Sequence, residues 1–243
     1  MMKKTLSLAL ALTLTLSLAA CGGSGGSSSS PSNSSGSSSQ SSASGSSSSA
    51  NTGSDVAYIQ DKGTLVVGIT EFAPMDYKDE NGEWIGFDAD MARKVAEALG
   101  VDVEFSVIEW GNKLFELDGK TVDCLWNGMT ITDEITGGAS ATNAYATNAQ
   151  VVVVKSDVAD QYQDVESLSD LNFAVEAGSA GEAAAQDAGL TYVSVSDQAT
   201  ALMEVNSGTS DACIVDLLMA GAMIGEGTSY PDLTYTVRLA EEQ

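Results

Sequence analysis

Histidine is absent from this sequence of 243 residues, and basic residues are scarce: 10 Lys and Arg stand against 34 Asp and Glu. The missing imidazole removes the commonest general base and the commonest metal ligand. The shortage of cations excludes a nucleic-acid role, because neutralising phosphates needs a Lys/Arg stripe. Cysteine is rare as well, with Cys21, Cys124 and Cys213 the three in the chain. Cys124 and Cys213 lie in apolar, strand-like runs far apart in sequence. In an exported protein they either pair or remain as buried free thiols, and the apolar surroundings favour the thiols. Beyond one N-terminal apolar stretch, no run approaches the length of a transmembrane helix.

That stretch reads as an export signal. Lys3 and Lys4 form a positive start, and the apolar segment after them ends in Leu18-Ala19-Ala20-Cys21. It is too short and wrongly flanked for a lasting membrane span. A cysteine directly after two alanines has the form of a bacterial lipoprotein signal, with residues 1–20 removed and Cys21 the lipidated first residue. The following segment, to residue 54, is almost entirely Ser and Gly. With no periodic apolar residues it cannot bury a core, and its 33 residues reach about 30 Å as a flexible coil. A tether belongs between a lipid anchor and a folded body. The folded part is then 55–243, where eight basic residues face all 34 acids, a net charge of −26. Such a surface repels nucleic acid and anionic membrane and keeps an exported protein soluble.

The folded part alternates strand-like and helical patterns. Residues 64–69 (TLVVGI) form a buried strand. Asp88 is placed to cap a helix with Met91, Val95, Ala98 and Leu99 as its apolar face, stopped by Gly100. Residues 101–107 alternate as a half-buried strand. Residues 113–117 are helical, and 122–125 form a strand running into the segment WNGMTITDEI. A second block repeats the style. Strands are expected at 151–154, 172–175, 191–195 and 212–215. Helices are expected at 181–188, capped by Ser179, at 197–206 with Ala201, Leu202 and Val205 inward, and at 217–224. This alternation implies an α/β protein with a mainly parallel sheet in each of two lobes, 55–145 and 146–238, hinged at about 145–150. Ligands of open α/β sheets bind beyond the carboxyl ends of the strands. The WNGMTITDEI segment and the Gly178-Ser179 turn both lie at such ends. The two turns facing one another would form a clamp. Thr130 and Thr132 also suit capping of the helix that follows them, and Asp216 suits capping of the helix from Leu217.

The order LVVGITEFAPMDYKDENGEWIGFDADMARKVAEALG, then GMTIT, VEAGSAGE and SDACIVD resembles the extracellular solute-binding proteins of polar amino acid ABC transporters. The resemblance runs from about residue 63 to 239. It implies the two-lobed clamp of a type 2 periplasmic-binding protein, closing on an amino acid and presenting it to a membrane permease. By resemblance, Phe72 and Trp110 are aromatic walls, and Asn127, Gly128 and Thr130 are polar contacts of the first lobe. Ser179 and Ala180 meet the ligand carboxylate, and Asp216 takes its α-amino group. Trp126 is assigned to packing. The resemblance also implies that 239–243 begin a second hinge, with a return segment to the first lobe beyond the sequence at hand.

One position departs from the pattern. Five residues past the first threonine the family has an arginine that binds the α-carboxylate bidentately, and here the residue is Ile135. Either the carboxylate is held by Thr130, Ser179 and helix N-termini, or the ligand lacks one. Glu71 beside Phe72 and Glu176 before the Ser179 turn would add to Asp216 in an acidic cleft between aromatic walls, which suits a cation. The expected function is therefore capture of a small polar solute, an amino acid before all, by a monomer on the outer face of the bacterial cell membrane. The membrane is touched only through the lipid anchor. The alternatives are a sensing module for a cationic amine, and a dehydratase- or lyase-like enzyme on the same fold. An enzyme would need a carboxylate such as Glu71, Glu176 or Asp216 as its acid or base. The reading calls for no catalytic residue, no metal and no cofactor.

Overall fold

The structure is a computed structural model that describes residues 54–242; the signal segment, Cys21 and the tether as far as residue 53 lie outside the described residues. In chain order the elements are α1 (Asp55–Lys62), β1 (Thr64–Ile69), β2 (Tyr77–Lys78), β3 (Trp84–Ile85), α2 (Phe87–Leu99), β4 (Asp102–Val107), α3 (Lys113–Asp118), β5 (Cys124–Leu125) and α4 (Asp133–Gly138). There follow β6 (Asn148–Lys155), β7 (Asn172–Glu176), α5 (Ala180–Asp187), β8 (Thr191–Val195), α6 (Gln198–Ser207), β9 (Ala212–Asp216), α7 (Leu217–Met223) and β10 (Leu233–Glu242). No helix among the described residues is long and apolar enough to cross a membrane.

The first lobe is built on a parallel sheet in the order β4-β1-β5, with Thr64 opposite Asp102 and Val67 opposite Cys124. Val67 and Ile69 at its centre are fully buried, and α2 covers them with Ala92 and Ala96. Here the expected apolar face is corrected in part: Val95 packs against this core and Leu99 is half-buried, but Met91 is 38% exposed and Ala98 is exposed. Alanines let the helix axis approach the sheet closely, and this packing outweighs the larger apolar residues a quarter-turn away. Asp88 is not the cap either. Gly86 holds that position at φ 123°, where an added Cβ would lie 2.2 Å from the Met75 carbonyl oxygen. Asp88 is instead fully buried inside the first turn.

The second lobe has a five-stranded sheet in the order β10-β6-β9-β7-β8. β7 is parallel to β8 and β9, and β6 is antiparallel to both β9 and β10, so this sheet is mixed. Both faces are covered. Val151, Val153 and Val215 face Leu202 and Val205 of α6 and Met219 of α7, while Val152, Val154, Val175 and Ile214 face Ala185 of α5, Leu168 and Leu190. A strand covered on both sides has no polar face, which is why β6 reads as four consecutive valines. Full burial of each such side chain is worth about 1.5–3 kcal/mol. Cys213 is fully buried and Cys124 half-buried, and both are free thiols. Burial pushes the Cys124 thiol up to about 12. The cap expected at Ser179 is in place, its Oγ accepting from the Glu182 N–H, while Asp197 caps α6 and Gly208 ends it at φ 80°. Where β6 begins, Asn148 lies opposite Glu242 of β10, so the two stretches expected as hinges run side by side.

Candidate functional site

Parallel strands bring their carboxyl ends together. β1 and β5 deliver Phe72 and Asn127 to one edge of the first lobe, while β7 and β9 end on Glu176 and Asp216 in the second. A cavity of about 100 Å³ lies between these edges. Phe72, Trp110, Asn127, Gly128 and Thr130 line it from one lobe, and Glu176, Ser179, Ala180 and Asp216 from the other. Glu71 does not line it. In an extended chain neighbours face opposite sides, so burial of Phe72 leaves Glu71 in water. A second cavity, about 350 Å³, lies along the first lobe and the 139–146 segment with mainly apolar walls. Trp126 lines that one and packs on the first-lobe core, as its packing role anticipates. Its one carboxylate, Asp123, is already bonded by Lys62 and the Val66 N–H. Convergent polar groups single out the smaller cavity.

The first-lobe wall is held by internal bonds. The Asn127 side chain accepts from the Thr70 N–H at 3.1 Å and hydroxyl at 2.9 Å, and donates to the Thr70 carbonyl at 3.0 Å and Asp76 Oδ2 at 2.9 Å. Its polar atoms are therefore engaged by the scaffold, which sets Asn127 apart from the ligand role expected of it. Gly128 sits at φ 58°, and an added Cβ would come within 2.5 Å of the Phe72 ring. Its N–H donates to Asp88 Oδ2 at 2.6 Å, and Asp88 also accepts from the Tyr145 hydroxyl at 2.9 Å. One buried carboxylate thus fastens the GFDAD segment to the GMTIT segment. Thr132, not Thr130, caps α4, accepting from the Ile135 N–H at 3.2 Å.

The second-lobe wall carries the charge. Asp216 is 6% exposed and accepts from the side-chain amides of Asn148, Gln150 and Gln198. Its own N–H donates to Gln198 Oε1 at 2.8 Å, and its side chain makes no cap bond to α7. The helix-capping alternative for Asp216 is thereby set aside. Ser179 is engaged as the cap of α5, and the preceding Gly178, at φ 71°, presses on the first lobe: a Cβ there would lie 2.5 Å from Gly111 Cα.

Residues 65–211 match the family of bacterial extracellular solute-binding proteins, family 3. The chain belongs to this family. It is 31% identical over 171 residues to a probable amino-acid ABC transporter-binding protein of Haemophilus influenzae, covering 70% of this chain and 66% of that one. It is 26% identical to the L-cystine-binding protein TcyJ of Escherichia coli, covering 67% of this chain and 62% of that one. The chain thus spans 62–66% of the length of these two relatives. Among solved structures, a mutant of ArgBP from T. maritima superposes with a TM-score of 0.72 at 29% identity, over 78% of this chain and 83% of that one. An ancestral amino acid-binding protein described as a precursor of cyclohexadienyl dehydratase does so with 0.70 at 32%, over the same shares. The fold is the two-lobed α/β type 2 periplasmic-binding-protein fold.

This solute-binding protein places two groups in its cavity that the motifs did not reveal. Gln198, at the start of α6, lies beside Asp216. Lys113, at the start of α3, is only 8% exposed, and its ammonium donates to the Gly178 carbonyl at 2.8 Å. The lysine follows Trp110 by three residues and is one of few cations in an acidic chain, which is the signal that was available. Ile135, 2% exposed, lines the same cavity. Glu176 is 2% exposed and its Oε1 has no hydrogen-bond partner in the protein. Burial, then the negative charge of Asp216, pushes its carboxyl up to about 8. Burial holds the Lys113 ammonium below its ordinary value, against the pull of Glu134, Glu176 and Glu182.

Proposed function

We propose that this chain captures an amino acid between its lobes and delivers it to the permease of an ABC importer, held at the outer face of the membrane by a lipid on Cys21. The lobes are 55–145 and 146–238, with crossings at about 145–150 and from 239 onward. The observation that carries this reading is Asp216. A carboxylate buried at a strand end, oriented by three side-chain amides and facing a cavity, is built to receive a cation such as an α-ammonium group. Phe72 and Trp110 supply the apolar walls. The names of the relatives support an amino acid as the solute, since they include binding proteins for cystine and arginine. Closure follows binding only to the extent that the ligand prefers the closed state, so contacts from both lobes are required. A cavity of about 100 Å³ holds a small solute, and a longer one such as arginine needs a wider opening of the lobes.

A second reading is favoured by the unpartnered oxygen of Glu176. With Asp216 it makes a site for two positive charges, as in a basic amino acid or a diamine. The test is a thermal-shift and calorimetric screen of the full chain against twenty amino acids and their decarboxylated amines. Saturation at a hundred times the dissociation constant adds about 2.7 kcal/mol of stability. Stabilisation by amino acids supports capture for import, and stabilisation by amines alone moves the reading to amine sensing. Loss of the retained compound over time would revive the enzymatic alternative, with Glu176 as its acid. No stabilisation by any member overturns the proposal.

A further inference from the structure

Lys113 is a buried cation without a close anion. The ion pairs Lys62–Asp123 and Arg93–Asp90 do not involve it. Its Nζ donates to two neutral acceptors, the Gly178 carbonyl at 2.8 Å and the Trp110 carbonyl at 3.4 Å, and lies 5.2 Å from the centre of the Trp110 ring. An ammonium has three N–H bonds, so one remains. Lysines are almost never this buried unless paired. The carboxylates of Glu134, Glu176 and Glu182 act on it from a distance. Among the described residues, Lys113 is the one basic side chain lining the cavity, and it comes from the first lobe, while Asp216 comes from the second. A zwitterion needs one pole of each sign.

We propose that the Lys113 ammonium receives the carboxylate of the bound amino acid, so that the cation absent at Ile135 is supplied from α3. This rests on the function proposed above and deepens it. Lysine binds as a point charge rather than a fork, which relaxes the geometry demanded of the carboxylate. The same Nζ is bonded to a carbonyl of the opposite lobe. That bond forms because Gly111 and Gly178 allow the two backbones to touch. Carboxylate binding and lobe closure therefore meet at one atom.

The competing role is a strut that joins the lobes without touching ligand. Calorimetry on the full chain separates the two, using arginine with agmatine and lysine with cadaverine, or the best amino acid of the screen with its own amine. The native chain is expected to prefer the carboxylate-bearing member by at least about tenfold. Lys113→Met should narrow this ratio to about threefold or less, and Lys113→Arg should restore it, both with melting curves that remain cooperative. If Lys113→Met weakens both members equally, Lys113 is a strut and the assignment is overturned. A native ratio near one overturns it too, while leaving the acidic site intact. If Lys113→Met does not fold, a Lys113→Arg ratio unchanged from the native one supports the assignment and a ratio near one overturns it. Retention of nothing from the screen by the native chain overturns the proposed function and this assignment together.

Discussion

On the first-lobe side of the cavity, Asn127 is bonded through both ends of its amide to Thr70 and Asp76. On the second-lobe side, Asp216 accepts from the side-chain amides of Asn148, Gln150 and Gln198. Both residues are polar, buried and placed at strand ends, yet one is tied to its own lobe and the other is the acid proposed to meet the solute. Glu176 and Asp216 extend the contrast within a single sheet. They end neighbouring parallel strands, but three amides serve Asp216 while one oxygen of Glu176 has no partner. Burial alone does not mark a binding residue. What distinguishes these groups is the number and chemistry of the partners the scaffold supplies.

The largest effect should come from removing the charge on the second-lobe side. Asp216→Asn places an amide against three amide donors and takes away the anion, and it should cost about 2–5 kcal/mol of affinity for ammonium-bearing ligands by calorimetry. Ligands without an amine should be affected far less, and equal losses would remove Asp216 from its assigned role. Next comes the lobe contact. Gly178→Ala puts a Cβ against Gly111 Cα, backbone on backbone, at a positive φ. It should weaken binding by about 1–3 kcal/mol by obstructing closure. Small-angle scattering should show a smaller contraction on ligand addition than in the native chain.

The pH dependence sharpens the comparison of the two carboxylates. Glu176, pushed up to about 8, and Asp76, pushed up to about 7 by burial, hold protons in the native state that the unfolded chain has released above its ordinary carboxylate values. The native state therefore binds more protons between about pH 5 and pH 8, and stability of the unliganded chain falls as pH rises through that window. Binding should move the other way. A cationic ligand paired with ionised Glu176 must displace its proton, so affinity should rise by up to about tenfold per pH unit toward pH 8. Glu176→Gln should flatten the binding slope and leave the Asp76 share of the stability slope. A binding slope unchanged in that variant would show that Glu176 does not meet the ligand's charge. The smallest effect belongs to Glu71→Gln. As an exposed acid outside the cavity it should change stability and affinity by about 0.5 kcal/mol or less.

Much of the scaffold was legible because its signals are local. A run of valines bounded by turns can only be a strand covered on both faces. Ser179 and Asp197 precede helices by one residue, and Gly208 closes one with the left-handed φ that glycine favours. The same locality misled at α2. Larger apolar residues suggested a face centred on Met91 and Val95, and alanines that fit the sheet turned it, so that Val95 still packs but Met91 is exposed. The strands β2 and β3 are two residues each and make no periodic signal.

The sequence by itself determined the alternation of strands and helices, the strand ends that border the cavity, and the aromatic and acidic residues carried to them. Tertiary structure alone decided which partners those residues meet. Asn127 meets Thr70 across 57 positions, and Lys113 meets Gly178 across 65, so neither bond has a local trace. Whether a polar group holds the wall or faces the cavity depends on partners that only the closed packing of two sheets brings within about 3 Å. That is why Glu71 proved a surface acid, and why a lysine outside every motif stands in the cavity.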